Sequence, residues 1–379
     1  MDSAALQSLS QSLADDVAGN LEYLRQILQT KVREQDVVIN ERFLQLAIIA
    51  QQGIIIGNQY RRLKNKDGKL NEAQNVDAHV PAMFGHYQHF HKAGNDHLEE
   101  DDVYDTIIKT LQQVAAEARQ AGVLQPNILP IAFEWRKRKA VTCGHISRLK
   151  KDYEENYGDA DYRKTDVYEN LQELLQSQPE RFAGDKILFL GCSHSYMGGK
   201  RDKIHRGDIA MAYRMMNHLV RYMAIDRPES VVKAFTEDPE WDLDVETKIR
   251  DCAFGFESFD GEYVTRPILE SPRDITRDTV VVAINPIFPA RQFLAQLMLG
   301  ATVDDTTGET LGYFRTPKVL ICATINFDDT DFHWTPKTED PNAPIVSNTF
   351  RRWEPHHLTT NRSFEPWDDL TMYIRPADS

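Results

Sequence analysis

Cysteine is scarce in this chain. Cys143, Cys192, Cys252 and Cys322 are the four in 379 residues, and no two form a CxxC pair. A chain of this length does not need disulfide staples, so the scattered thiols point to a reducing compartment. Positive charge is also short: 44 Lys and Arg stand against 58 Asp and Glu, a formal net charge of −14. That balance repels a phosphate backbone over most of the surface and supplies no polybasic anchor for a lipid headgroup layer. No apolar run approaches the ~20 residues of a membrane-spanning helix. The opening MDSAALQSLSQSLADD has neither a basic n-region nor an uninterrupted apolar h-region. The expectation is a soluble, cytoplasmic protein with no membrane span and no general nucleic-acid binding. Internal repeats, low-complexity tracts, GxxxxGK[ST] and HExxH are missing as well.

What is present is a change of pattern partway along the chain. Apolar residues from Leu6 to Val32 step by three or four, Asn40 can cap a helix over 41–64, and a third helix is expected from Glu99 to Gln120. In that third helix the acidic run Glu99 to Asp105 would meet the positive helix N-terminus. From Asn127 onward, short apolar runs alternate with helical patterns: ILPIAFEW, then KILFLG, TVVVAIN and PKVLICATINF as strands. Helices are expected near 167–175, over 208–224 and over 290–299. Strands that read as continuous apolar runs are buried on both faces, which predicts an α/β fold. The expected organisation is an N-terminal helical region, 1–125, packed on a C-terminal mainly parallel sheet with flanking helices, 126–379. TVDDTTGETLGYF reads as a hairpin or excursion, and the chain after Phe332 as an irregular tail.

In open α/β sheets functional side chains gather at the carboxyl ends of the strands, where the loops diverge. KILFLG is followed there by Cys192, Ser193, His194 and Ser195. A serine hydroxyl attacks only when a base removes its proton and donors hold the resulting oxyanion. Cys192 is a second nucleophile candidate, a thiol beside His194 and a basic loop. The same letters also suit a turn in which Ser193 and Ser195 satisfy backbone groups. Downstream, GGKRDKIHRGD gathers Lys200, Arg201 and Arg206 behind two glycines, a set suited to an anionic part of a small-molecule substrate.

ILFLGCSHSY resembles the first block of SGNH or GDSL-type hydrolases, in which a hydrophobic strand runs into Gly-x-Ser; Gly191-Cys192-Ser193 matches that triplet. The resemblance, over 185–335, implies a hydrolase or an acyl or ester transferase. It makes Ser193 the nucleophile, with its own N–H and the side chain of Asn285 as oxyanion donors. In place of the Asp-x-x-His block of that family, DDTDFHW offers His333, which the resemblance makes the general base. Position 330 is Thr, so Asp331 or Asp329 is left to orient the imidazole.

Two other functions have their own letters. Five of the twelve histidines, His79, His86, His89, His91 and His97, fall between Asp77 and Asp105 beside several carboxylates. Such a cluster suits a divalent metal or haem, with His86, His89, His91 and His97 as the candidate ligands of a metal-dependent enzyme. The long apolar helix faces of the first 125 residues would instead let a non-enzymatic interaction or effector protein dock a protein partner.

Overall fold

Among the letters expected to form strands, KILFL, TVVVA and VLICA are β-branched or bulky at nearly every position, and their side chains pack on both sides of a pleated sheet. The computed structural model describes the chain at 102–110, 131–137, 158–190, 203–225, 232–238, 262–267, 275–284, 288–299, 302–303, 310–311, 316–327, 342–359 and 369–376, with isolated residues such as Ala47 and Asp340 besides. The chain divides into two compact units, Met1–Arg138 with Leu299–Thr310 and Lys139–Met298 with Leu311–Ser379.

In the first unit the helix expected from Glu99 is not formed over its first half. Asp102–Ile108 is a strand, β1, paired antiparallel with β2, Ile131–Lys137, in a register from Asp102↔Lys137 to Ile108↔Ile131. DVYDTII carries Val, Tyr, Thr and two Ile in seven positions, residues whose side chains lose rotamer freedom in a helix and fit a pleated surface. Its acidic residues therefore do not sit at a helix N-terminus. Helical residues begin instead after Thr110, at Gln113 and Val114. There the Gln113 N–H donates to Thr110 Oγ1 at 3.1 Å and the Thr110 N–H donates to Gln113 Oε1 at 2.7 Å. This reciprocal capping box marks the true start. ILPIAFEW does contain a strand, but it pairs with β1 rather than joining the larger sheet. The helices expected over 6–32 and 41–64 lie outside the described residues, except that Ala47 is helical and buried.

The second unit is built on a seven-stranded sheet. Ahead of the first strand of this sheet stand a short helix, α1 (Asp159–Tyr162), and then α2 (Asp166–Ser177). Thr165 caps α2: its hydroxyl accepts from the Tyr168 N–H at 3.2 Å and donates to the Tyr162 carbonyl at 2.7 Å. Val167, Leu171 and Leu175 recur every four residues and form its buried stripe. A 3-10 turn, Pro179–Phe182, leads into β3 (Lys186–Leu190). Then follow α3 (Lys203–Ile225), β4 (Lys233–Asp238), β5 (Glu262–Pro267), β6 (Thr279–Ala283) and α4 (Ala290–Leu299). Thr302–Val303 (β7) and Thr310–Leu311 (β8) make a two-stranded sheet within the expected excursion, where the stretch Leu299–Thr310 belongs to the first unit. β9 (Val319–Ala323) returns the chain to the main sheet.

The last stretch is not an irregular tail. It forms α5 (Pro344–Phe350), β10 (Glu354–His357) and β11 (Leu370–Ile374), and β11 is buried at every position. Pro344 stands in the first turn of α5, where its missing N–H costs nothing. LTMYI alternates residues between the two sheet faces, and it pairs antiparallel with β9 from Leu370↔Ala323 to Ile374↔Val319.

The sheet order is β10-β11-β9-β6-β3-β4-β5, with β9, β6, β3, β4 and β5 parallel. One face presents Ile187, Phe189, Val280, Val282, Val319, Ile321 and Met372 to α2 and α3 in a single core. Successive side chains alternate, so Leu188, Val281, Leu320, Cys322 and Tyr373 belong to the opposite face. These residues are buried too, as is α4 from Ala290 to Met298. Between α2 and α3 a polar seam accompanies the apolar packing. His218 stacks on Tyr168 with centroids 4.7 Å apart, and its Nε2 lies 2.6 Å from Gln172 Oε1. Because that oxygen can only accept, Nε2 carries a proton, which leaves Nδ1 facing the Tyr162 hydroxyl at 3.2 Å.

Candidate functional site

Counted among the parallel strands alone, the order is third, second, first, fourth, fifth. The chain starts at β3, moves outward to β4 and β5, and returns to β6 on the other side of β3. In a doubly wound sheet the loops after two such strands leave in opposite directions, and the crevice between them is the place where ligands bind. Here that switch point lies at the carboxyl ends of β3 and β6, which are hydrogen-bonded neighbours in register at Phe189↔Val282.

The strands that precede the expected site segments end on this edge. Leu190 ends β3 and is followed in sequence by Gly191, Cys192 and Ser193. Ala283 ends β6, with Asn285 two positions on, and β9 ends at Ala323 before the segment that holds Asp331 and His333. Ser193, Cys192, Asn285, Asp331, His333, Lys200 and Arg201 themselves lie outside the described residues. So do His86, His89, His91 and His97. Arg206 falls within the first turns of α3. Among the described residues no three His, Cys, Asp or Glu side chains converge as metal ligands, and no helix is long and apolar enough to cross a membrane.

The described part of the edge contains a group that motif reasoning did not reach. Arg291, in the first turn of α4, and Asp340 are each 5% exposed. Arg291 Nε donates to Asp340 Oδ2 at 2.9 Å, and the Arg291 backbone N–H donates to the same carboxylate at 3.1 and 3.2 Å. A terminal guanidinium nitrogen, Nη2, donates to the Asp340 carbonyl, and Nη1 reaches the carbonyls of Ala323 at 3.3 Å and Thr324 at 3.4 Å. The carboxylate thus caps α4 and neutralises a buried cation at once, the two conditions under which a buried charge is tolerated. Burial works most strongly against the Arg291 charge, but Asp340, together with Cys322 and Tyr373, holds the guanidinium above its ordinary range. One signal in the sequence points to half of the pair: a single cation in the otherwise uncharged ARQFLAQLML demands a buried partner, without saying which carboxylate supplies it.

The neighbours of this pair are chemically quiet. Burial pushes the Cys322 thiol up to about 12, against the opposing pull of Arg291, so Cys322 is a core residue rather than a nucleophile. Burial likewise pushes Tyr373 up to about 12, while its hydroxyl oxygen accepts the Ile325 N–H at 2.6 Å. A relay of Thr324, Thr371 and His357 also reaches this edge: the two hydroxyl oxygens are 2.5 Å apart and His357 Nδ1 is 2.9 Å from Thr371 Oγ1. β10 lies four strands from β3, about 19 Å at the usual interstrand spacing, so His357 is not a base for a nucleophile after β3.

No family model matches the chain, and no curated protein or solved structure is significantly similar to it.

Proposed function

We propose that this chain is a hydrolase, or an acyl or ester transferase, working at the carboxyl edge of β3, β6 and β9 on a small substrate with an anionic part. The observation that carries this reading is that the three strands are consecutive and parallel in the sheet. The segments holding Ser193, Asn285 and His333 therefore all leave from one edge, although they are far apart in sequence. β9 is two strands from β3, roughly 10 Å. The six residues from Phe327 to His333 extend to roughly 20 Å, enough to return across that gap.

In this reading Ser193 attacks the substrate carbonyl while His333 takes the hydroxyl proton, with Asp331 or Asp329 holding the imidazole. The Ser193 N–H and the Asn285 side chain receive the developing oxyanion. Lys200, Arg201 and Arg206, on the segment between β3 and the body of α3, suit the anionic part of the substrate. The test is a fluorophosphonate probe followed by peptide mapping. Ser193 Oγ forms a bond to phosphorus, fluoride leaves, and the proton passes to the base. An adduct on Ser193, lost in Ser193→Ala and slowed roughly a hundredfold or more in His333→Ala, is the expected result. No adduct on Ser193 in folded protein rejects the assignment.

A further inference from the structure

The amino edge of the main sheet, opposite the edge considered above, gathers positive charge in a chain whose net charge is −14. The neighbouring strands β11, β9, β6 and β3 all contribute. Arg375 follows β11, whose antiparallel course brings its last residue, Ile374, beside Val319 at the start of β9. Lys318 precedes β9, Arg277 precedes β6, and Arg181 stands in the 3-10 turn ahead of β3. Arg375 Nη1 donates to the Thr316 carbonyl at 3.0 Å and Nη2 to the Arg277 carbonyl at 3.3 Å. Arg181 Nη1 donates to the Arg375 carbonyl at 3.4 Å, and Lys318 Nζ to the Glu180 carbonyl at 2.8 Å.

These carbonyls satisfy N–H groups but neutralise no charge. Among the described residues, none of the three arginines makes an ion pair with a carboxylate. Burial first, and then the charge of Arg277, hold the half-buried Arg375 guanidinium below its ordinary range, while Asp278 pulls the other way more weakly. Two like charges kept this close cost free energy that a bound anion offsets. The place is also partly built in advance. Carbonyls at the entrances to β9 and β6 fix the plane of the Arg375 guanidinium, so little of its freedom is left to lose on binding. Arg277 is exposed, with its fork of donors open to solvent.

We propose that the amino edge of the sheet binds the dianionic phosphate group of a small soluble ligand at Arg277 and Arg375, with Arg181 and Lys318 flanking it. Two guanidinium forks match the oxygens and the double charge of a phosphate, whereas a carboxylate carries half that charge and chloride offers no fork to match. The net charge of the chain opposes approach to an anionic bilayer, which favours a soluble ligand. A five-residue strand such as β3 keeps the two edges roughly 17 Å apart. The proposal is therefore independent of the serine reading.

The experiment is calorimetric titration of the full chain with inorganic phosphate at about pH 8, where phosphate is a dianion, against chloride at matched ionic strength. Wild-type protein binds phosphate, and in Arg277→Gln the affinity falls roughly tenfold or more, the loss of one charge-assisted pair. Arg277→Lys, which keeps the charge without the fork, lies between the two. Lys164→Gln, which removes an exposed cation at the opposite end of α2 from Arg181, binds as wild type does. Thermal melting separates binding from a structural role. Without phosphate Arg277→Gln melts no lower than wild type, because a repulsion has been removed, and phosphate raises its Tm less than that of the wild type.

Wild-type protein that takes up no phosphate overturns the proposal. Equal affinity in Arg277→Gln also overturns it and places the anion elsewhere, as at the Lys200 to Arg206 segment. A variant that melts well below wild type without phosphate makes Arg277 a structural residue and rejects the site. Flotation with phosphatidylserine vesicles that depends on Arg277, in protein that takes up no free phosphate, rejects the soluble ligand in favour of a lipid surface.

Discussion

Arg291 and Asp340, 49 residues apart in sequence, form a buried ion pair in which one carboxylate also accepts the backbone N–H at the start of α4. Removing either partner strands the other. Arg291→Met leaves a carboxylate without its counter-ion in the interior and is expected to cost about 3–5 kcal/mol in urea unfolding. The double variant Arg291→Met with Asp340→Leu recovers a large part of that loss, because no charge is then left buried. A double variant no more stable than Arg291→Met alone would show that the carboxylate's role as helix cap outweighs the ion pairing.

Gly184 sits where the chain enters β3, and a β-carbon added there would lie well inside van der Waals contact with the Asp278 backbone carbonyl at the entrance to β6. The obstacle is main chain, not a side chain that can turn away. Gly184→Ala is expected to destabilise the unit by about 1–3 kcal/mol, the cost of pushing two neighbouring strands apart locally. Thermal melting of the variant against the wild type measures it.

The Thr165 hydroxyl holds the start of α2 by accepting the Tyr168 N–H and donating to Tyr162. Thr165→Ala removes the acceptor and is expected to cost about 1 kcal/mol, whereas Thr165→Ser is expected to be close to neutral. Equal losses in both variants would place the effect in packing of the threonine methyl rather than in the cap.

Alkaline pH bears on Cys322. Its thiol has an ordinary value of 9.0 and is raised to about 12 in the folded chain, first by burial. The unfolded chain therefore releases this proton earlier than the folded one. Stability from this group is whole below pH 9 and is lost as pH rises toward 12, by about 1.4 kcal/mol per pH unit across that window. Tyr373, also raised to about 12 chiefly by burial, adds a loss of the same sign. Cys322→Ser, whose hydroxyl does not titrate there, is expected to flatten the decline in a set of urea melts from pH 8 to 11. An unchanged slope in that variant would remove Cys322 as the cause. In native protein Cys322 is also expected to resist a disulfide-exchange reagent at pH 8 and to react once urea unfolds the chain.

The parts of the fold legible from the letters are those buried on both faces. TVVVA and VLICA have only one way to satisfy their apolar side chains, and the stripe of Val167, Leu171 and Leu175 has only one helical face. β4 and β5 were not anticipated because KAFTED and EYVTRP mix polar with apolar letters. Their place in the sheet comes from parallel backbone pairing to β3 and to each other. The letters of β1 suit a helix as well as a strand, because Val103, Ile107 and Ile108 also fit a spacing of three to four. The capping box at Thr110 and Gln113 was the local signal that distinguished the two readings.

The candidate site divides in the same way. A serine after an apolar strand, an asparagine after another and a histidine after a third are visible as letters, since each is defined by its own few neighbours. Nothing in those letters tells which strands stand side by side, because adjacency is decided by crossover connections that reverse direction after β5. The buried pair of Arg291 and Asp340 was beyond sequence reasoning for a related reason. A lone cation in an apolar helix announces that a partner is needed, but which carboxylate meets it depends on how the chain after β9 folds back.

The sequence by itself determined the type of the buried elements, because hydrophobic period and side-chain branching act within a few residues. The order of the strands, the switch point between β3 and β6 and the pairing of Arg291 with Asp340 were decided only by the tertiary structure. Each of these arises from contacts between residues that the chain brings together after folding, and a local pattern carries no record of them.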